Sequence, residues 1–386
     1  MVKDRIYISV CGEGFGHASR AIAIVEELLS RDCDVILGSY GYVYDYLKKQ
    51  NLCKTVKIPK EFDLSGENGE FSISRTFLSA SKSVLTKYWT LTRKERKIIK
   101  DHKITCVISD GRISPIFVAG YQLGLPAIFI TNIVSVKKTS MHNSIQKYIL
   151  RPPLTLLGKI GSMMLDEIVI PDFPPPNTIC RYMLPTSSRV RKKTIFVGPV
   201  VNKRLYETKP IKTKKKTVLS MIGGHEFRKP LIDCVVKAAD LNKNFNFTVV
   251  SRLIKKHVKK DNLELLPFVD NIYSYLKTSD FVVSQSGHST VMEMICAGKT
   301  GIVVPDKKQY EQECIAKGAR SMKLFKTMRY DDLEPEKLIR NLEILKGDKN
   351  YKKNVLKLSK MAKKLNGPKK MADKAMDYSS RMTMRY

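Results

Sequence analysis

The chain contains only six histidines, and three of them follow a glycine directly: His17 in CGEGFGHASR, His225 in SMIGGHEFRK and His288 in SQSGHSTVMEM. An imidazole titrates near neutrality, so each can move a proton or add charge beside an anion. The glycine before it lets a ligand approach the backbone closely. Each segment also stands after an apolar run, at Arg5–Val10, Val218–Ile222 and Phe281–Ser284. Ligands of open α/β sheets bind beyond the carboxyl ends of the strands, where these histidines would lie. Capping a helix is the ordinary use of one such residue. Three of six in equivalent loops points to a shared ligand.

The first loop joins a strand to the helix that starts near Ala18 and runs to Leu29. Free N–H groups and the helix dipole favour an anion there. Its spacing is G-x-G-x-G-H, whereas a dinucleotide fingerprint is G-x-G-x-x-G with an acidic residue after the second strand. His17 takes the place of the third glycine, and Val35-Ile36-Leu37 runs into Gly38-Ser39 with no acid. The nicotinamide or flavin reading is weak on both counts. In the third loop, Gln285–Ser289 forms a glycine-containing turn before a helix expected over Thr290–Ala297, with Ser289 or Thr290 as its cap. A diphosphate fits at such a terminus, each dipole contact contributing roughly 0.3–1 kcal/mol. Glu293, about one turn further on, would repel phosphates if it faced them. Turned aside, it accepts hydrogen bonds from ribose hydroxyls; its other reading is as a complement to the helix dipole.

The elements that must hold these residues alternate throughout the chain. Strands are expected at Arg5–Val10, Asp34–Leu37, Thr105–Ser109, Ala127–Thr131, Glu167–Ile170 and Thr194–Val197. Helices lie between them, for example Ser81–Lys100 and Pro115–Leu123. Gly198–Thr217 is polar, proline-containing and lysine-rich, and reads as a linker. The alternation resumes with Val218–Ile222, Phe247–Val250, Leu263–Leu265, Phe281–Ser284 and Gly301–Val304. This is the pattern of two doubly wound α/β domains, expected at 1–200 and 201–365, with a C-terminal helix at 366–386 returning to the first. Gly367-Pro368 breaks the helical, lysine-rich tail and allows that return.

Composition sets limits on partners. At 386 residues and 43% hydrophobic content there is ample material for globular cores. Lys and Arg number 69 against 37 Asp and Glu, a net charge of +32, which suits nucleic acid, an anionic membrane or phosphorylated ligands, or reflects a lysine-rich proteome. The eight cysteines include no C-x-x-C pair and read as small core residues of a reduced, cytoplasmic protein. The N-terminus runs straight into a strand, so no signal peptide is expected. No run of eighteen uncharged apolar residues is present, so no spanning helix is expected either.

The stretch Pro267–Ala319 resembles the nucleotide-sugar signature of the MurG-like glycosyltransferases (glycosyltransferase family 28), UDP-sugar transferases of bacterial and archaeal type. The matching residues are Ser284, Ser286, Gly287, Thr290, Glu293, Pro305, Glu311 and Gln312. The opening loop is similar to the same family's G-x-G-G-H-x-x-P/R element at Gly14, Gly16, His17 and Arg20, and Ile222-Gly223-Gly224 resembles its first loop of the nucleotide domain. Two departures are His288, where the family has a smaller residue, and Ile315, where it has asparagine. The second leaves the sugar open.

The resemblance implies a GT-B fold, two Rossmann-like domains facing a cleft, and inverting transfer of a sugar from a UDP-sugar to an acceptor hydroxyl. N-acetylglucosamine is the family's default sugar. On this reading His17 is the base, and Asp110 in VISDGR orients it or holds the acceptor. The donor site comprises Gly223, Gly224, His225, Ser286, Gly287, His288, Ser289, Thr290, Glu293, Glu311 and Gln312; the acceptor side has Gly12, Gly14, Gly16, Arg20, Gly111 and Asn132. No D-x-D element stands in a convincing loop, so no metal and no cofactor is expected; the UDP-sugar is a substrate. A lipid-linked acceptor would bring the enzyme to the cytoplasmic face of the cell membrane as a peripheral protein. Met141–Leu165, apolar with Lys147, Arg151 and Lys159, reads either as such a surface or as core packing. Two other classes stay open: a UDP-sugar 2-epimerase of the same fold, and a basic nucleic-acid-binding protein. The second lacks a zinc finger or an RNA-binding aromatic strand, so no nucleic-acid partner is expected.

Overall fold

The apolar run RIYISV forms β1 (Arg5–Val10), every residue after the first buried. It is followed by β2 (Asp34–Ser39) and β3 (Lys54–Lys57), and by a two-stranded hairpin of β4 (Gly66–Glu67) and β5 (Glu70–Phe71). Next come β6 (Cys106–Asp110), β7 (Ala127–Ile130), β8 (Glu167–Ile170) and β9 (Thr194–Phe196). The computed structural model describes residues 3–61, 66–67, 70–71, 73–134, 163–185, 187–269 and 271–383, with backbone alone at 66–67, 71, 73–86 and 383. The first sheet has the order β3-β2-β1-β6-β7-β8-β9, all parallel. Its strand order reverses between β1 and β6, and such a switch point opens a crevice at the strands' carboxyl ends.

A second sheet repeats the design. It contains β10 (Lys216–Met221), β11 (Phe245–Val250), β12 (Val258–Lys260), β13 (Leu263–Leu266), β14 (Phe281–Ser284), β15 (Thr300–Val303) and β16 (Phe325–Thr327). The order is β12-β13-β11-β10-β14-β15-β16, parallel except for the edge pair β12–β13. Here the switch point lies between β10 and β14. By contacts the chain divides into a first unit of Met1–Leu64, Ser74–Asn202 and Leu365–Tyr386, and a second of Ser65–Ile73 and Lys203–Lys364. The β4–β5 hairpin thus packs with the second sheet, where Glu70 forms an ion pair with Lys308 at 2.5 Å.

Helices cover both sheets. In the first unit they are α1 (Phe15–Leu29), α2 (Gly41–Gln50) and α3 (Ile73–Asp101). The second unit has α4 (Lys229–Leu241), α5 (Ile272–Thr278), α6 (His288–Cys296), α7 (Tyr310–Ser321), α8 (Pro335–Gly347) and α9 (Lys349–Leu365). In α1, Ala18, Ala21, Ile22, Val25 and Leu28 recur at helical spacing and are buried, which fixes the helix against the sheet. The tail breaks at Asn366, whose φ is 46°, and resumes as α10 (Gly367–Thr383), with Met371, Ala372 and Ala375 in the first unit's core.

Three expectations need correction. The linker is shorter than its composition suggests: Val200 and Val201 are buried, because apolar side chains fold back onto the first unit, and only 209–216 are exposed throughout. The helix read at Pro115–Leu123 is a single turn, Ser114–Ile116, that widens into a π-helical stretch, Phe117–Gln122. The helix read at Thr290–Ala297 starts two residues earlier, at His288. Of the apolar and basic segment Met141–Leu165, all but the last three residues lie outside the described residues.

Because α10 closes the first core, Met371→Ala is expected to destabilise that unit by about 2–5 kcal/mol. Chemical unfolding followed by a probe in each unit checks this; an unchanged midpoint for the first unit would show that α10 is dispensable.

Candidate active site

Val10 and Asp110 are paired across β1 and β6, so the loops leaving the two strands emerge side by side at the first switch point. The Cys11 N–H donates to the Asp110 carbonyl at 3.0 Å and holds them together. From one loop α1 rises, and His17 and Arg20, one turn apart, face the end of β6. The Asp110 carboxylate meets both. Oδ1 lies 2.8 Å from His17 Nδ1, and Arg20 donates from Nε to Oδ2 at 2.7 Å and from Nη2 to Oδ1 at 2.6 Å. Asp110 is 1% exposed and Arg20 4%, whereas the His17 side chain is 30% exposed.

Burial alone would drive the Asp110 carboxyl up; Arg20 and then His17 outweigh that and hold it well below the usual carboxylate range. An ionised carboxylate only accepts hydrogen bonds, so the short contact assigns a proton to His17 Nδ1. The lone pair of the neutral ring is then on Nε2, as a general base requires. Arg20 Nη2, 3.1 Å from Nδ1, is a neighbour and not a donor to it in this tautomer.

The glycines around this cluster have separate reasons. A side chain at Gly12 would lie 2.4 Å from Tyr40 atoms, so its smallness serves packing inside the protein. Gly14, the N-cap of α1 with φ 111°, has open space where a Cβ would stand, and Gly16 lies half-buried in the first turn. Gly111 has φ 74°, and a Cβ there would come within 3.1 Å of His17 Cε1, so this turn abuts the imidazole. Asn132 is half-buried just beyond β7, the strand beside β6.

The second switch point is built in the same way. Met221 pairs with Ser284 across β10 and β14. The Gly223 N–H donates to Gln285 Oε1 at 3.0 Å, and the Ser284 hydroxyl donates to the Met221 carbonyl at 2.7 Å. Gly223 and Gly224 make room for the side chains of Arg228 and Arg252, respectively. His225 is half-buried and stacks on Phe227, with centroids 5.4 Å apart. Gly287 is the N-cap of α6 without a side-chain bond, and a Cβ there would meet open space. Ser289 and Thr290 therefore stand in the first turn and do not cap it. His288 lies in that first turn and is 4% exposed. Glu293 is half-buried and accepts from the Tyr273 hydroxyl at 3.4 Å.

Beyond β15 lies a buried centre that the sequence reading missed. Asp306, 1% exposed, accepts from Arg228 Nε at 3.0 Å and Nη2 at 2.5 Å, from Gln312 Nε2 at 2.8 Å and from the Tyr330 hydroxyl at 3.3 Å. Gln312 also accepts from the Asp306 N–H at 3.0 Å, and its carbonyl accepts from the Ser286 hydroxyl at 2.8 Å. Gln312 and Ser286 thus tie the loops after β14 and β15 to the start of α7. Glu311 stays half-buried in that first turn. The aspartate directly after Pro305 was the available signal for this centre.

Two sheets, parallel but for one edge pair and each with a polar cluster at its switch point, give the chain a GT-B fold. A solved structure described as the glycotransferase of kitacinnamycin shares the fold at a TM-score of 0.72, with 12% identity over 98% of this chain and 100% of its own. The sequence profile of Glycosyl transferase family 1 matches residues 4–345, and the chain belongs to that family. It is a glycosyltransferase enzyme. A Methanosarcina mazei protein named an uncharacterized glycosyltransferase is 31% identical over 379 residues, 95% of this chain and 96% of its own. A Prochlorococcus marinus protein is 22% identical over 323 residues, 81% of this chain and 78% of its own. It is named a UDP-N-acetylglucosamine–N-acetylmuramyl-(pentapeptide) pyrophosphoryl-undecaprenol N-acetylglucosamine transferase.

The depressed Asp110 carboxyl makes a prediction with a definite sign. Its stabilising contribution is complete above the ordinary value of 3.8 and is lost as pH falls through the lower folded value. Asp110→Asn is expected to be less stable than wild type at pH 7, with the gap narrowing below about pH 4. Denaturant midpoints of both proteins across pH 2–7 test this; a constant gap would refute the ion pairing.

Proposed function

We propose that this glycosyltransferase moves a sugar, N-acetylglucosamine in the first instance, from its UDP derivative to an acceptor hydroxyl with inversion. The observation that carries the reading is His17 held through Nδ1 by Asp110 at 2.8 Å, which leaves Nε2 to act as base. Nε2 takes the hydroxyl proton, the acceptor oxygen bonds to the anomeric carbon, and the sugar–phosphate bond breaks. The departing UDP carries the negative charge. On this reading the anion site lies in the second unit, where the helix dipole at the N-terminus of α6 and the open space at Gly287 favour a diphosphate. On the same reading Glu293 accepts from the ribose hydroxyls. We assign no role to a metal. The choice of UDP-N-acetylglucosamine is supported by the transferase activity in the name of the Prochlorococcus marinus relative, at 22% identity.

A lipid-linked acceptor is supported by a surface of the first unit. Trp89 is 72% exposed, Tyr121 69%, Ile113 67% and Met163 62%. Ring contacts run from Trp89 through Tyr88 and Phe117 to Tyr121, at 5.7, 5.5 and 5.0 Å. Exposed Arg93, Lys94, Arg96 and Lys97 follow on α3. Exposed Trp89 and Tyr121, joined through the half-buried Tyr88 and Phe117 and followed by basic residues, suit a membrane interface, where rings enter the headgroup layer and each cation adds about 1 kcal/mol against anionic lipid. Ile113, three residues after Asp110, adds an exposed apolar side chain on the turn that follows β6. No helix among the described residues is long and apolar enough to cross a membrane. On this reading the enzyme works as a peripheral protein on the cytoplasmic face.

A panel of UDP-sugars with lipid-linked and soluble acceptors, read by UDP release and product mass, tests the reaction. His17→Ala is expected to lower turnover about 10²–10⁴-fold with donor affinity kept. Glu293→Ala is expected to weaken UDP binding by calorimetry in a folded protein. Full turnover in the first variant, or full affinity in the second, removes that residue from its role.

Membrane docking is checked separately by co-sedimentation with anionic liposomes. The wild type should pellet at low salt and release at high salt, and Trp89→Ser should pellet less. A protein that stays in the supernatant at low salt would point to a soluble acceptor.

A further inference from the structure

Arg112 is a fully buried arginine in the first unit, two residues after Asp110. A guanidinium has five N–H donors, and the fold gives this one an acceptor for each. Nη1 donates to Ser9 Oγ at 2.9 Å and Glu95 Oε1 at 2.6 Å, and Nε to Glu61 Oε2 at 3.1 Å. Nη2 donates to the Pro59 carbonyl at 3.4 Å and Ser114 Oγ at 3.2 Å. The carboxylates are engaged on their far sides as well. Glu95 Oε2 accepts from the Tyr7 hydroxyl at 2.6 Å, and Glu61 Oε1 accepts the N–H groups of Ile113 and Ser114 at 3.2 and 3.0 Å. The Arg112 carbonyl accepts from the Ser109 hydroxyl at 2.6 Å.

Such a cluster is a costly way to fill a core, since well-packed apolar residues are often as stabilising as a buried ion network. What it does supply is fixed geometry. It clamps the chain from Ser109 to Ser114 on both sides of Gly111, tying that turn to β1, α3 and the loop at Pro59–Glu61. The same turn carries the Asp110 carboxylate and abuts His17 Cε1.

We propose that Arg112, Glu61 and Glu95 are positioning residues for His17. They touch no reacting group; they hold the Asp110–Gly111 turn in the one placement that keeps the proton on Nδ1 and the lone pair on Nε2. The inference rests on His17 as the base, but its test needs no substrate.

Glu61→Gln is nearly isosteric and replaces one acceptor oxygen with a donor NH2. That group must face either Arg112 Nε–H or the Ile113 and Ser114 N–H groups, so one side of the clamp opens. The readout is the pair of imidazole ¹⁵N resonances of His17 in the full-length protein, identified by their loss in His17→Gln. In the neutral wild-type ring the two nitrogens should be well separated, one protonated and one bare. In Glu61→Gln they should move towards each other as the tautomers mix, and Asp110→Asn should do the same as a positive control. Arg112→Lys keeps the charge but loses the fork, and it serves as the second variant if Glu61→Gln does not fold. Unchanged resonances in a folded variant overturn the proposal. Failure of both variants to fold also overturns it, since the cluster would then serve stability. A normal tautomer shift without UDP-sugar turnover would instead sink only the proposed reaction.

Discussion

The Asp110 carboxylate is the constraint around which the first unit's chemistry is arranged. An ionised group at 1% exposure survives only if charge and hydrogen bonds replace its lost water. Arg20 supplies most of that by a two-point contact, and His17 completes it. The same contacts that make the carboxylate tolerable fix the tautomer of the imidazole. Stability and readiness to accept a proton therefore come from one interaction. Its partners reach Asp110 only because β6 lies beside β1, so the sheet order is part of the site.

The second unit solves a related problem differently. Asp306 is again a buried carboxylate just beyond a strand, and Arg228 is again its cationic partner, at 2.5 Å. Here the surrounding bonds run to Gln312 and Tyr330, and they fasten loops to one another. No imidazole is oriented by it. What stands at this unit's switch point is backbone: the open space at Gly287 and the first turn of α6, which has no side-chain cap. On the proposed reading one unit presents a side-chain base, and the other a helix N-terminus suited to a diphosphate. Acid–base work needs a titrating group, whereas holding a leaving anion needs fixed dipoles.

Much of this was legible in the sequence because it is local. Strand and helix positions follow from runs such as RIYISV and from apolar spacing in α1, and the histidines announce themselves by standing after glycine at strand ends. The Ser286–Glu293 stretch carried enough of a family pattern to name the fold. Boundaries were less legible: α6 begins at His288 because its N-cap is glycine, while serine or threonine is the usual signal. Val200 and Val201 sit in a polar stretch, and only the core that receives them shows that they are not linker.

The sequence by itself determined the two α/β units, the glycine-histidine loops, and the types of residue available for proton transfer and anion binding. The tertiary structure alone decided which of these residues act together. His17 and Asp110 are 93 residues apart, Arg228 and Asp306 are 78, and Arg112 meets Glu61 across 51. Such pairings depend on strand order and register, which place distant segments within hydrogen-bond reach and leave no trace in local periodicity. The reason for Gly12 is of the same kind, since nothing near it in the chain foretells the ring of Tyr40. Periodicity reports which face of an element is buried; only the assembled sheet reports what it is buried against.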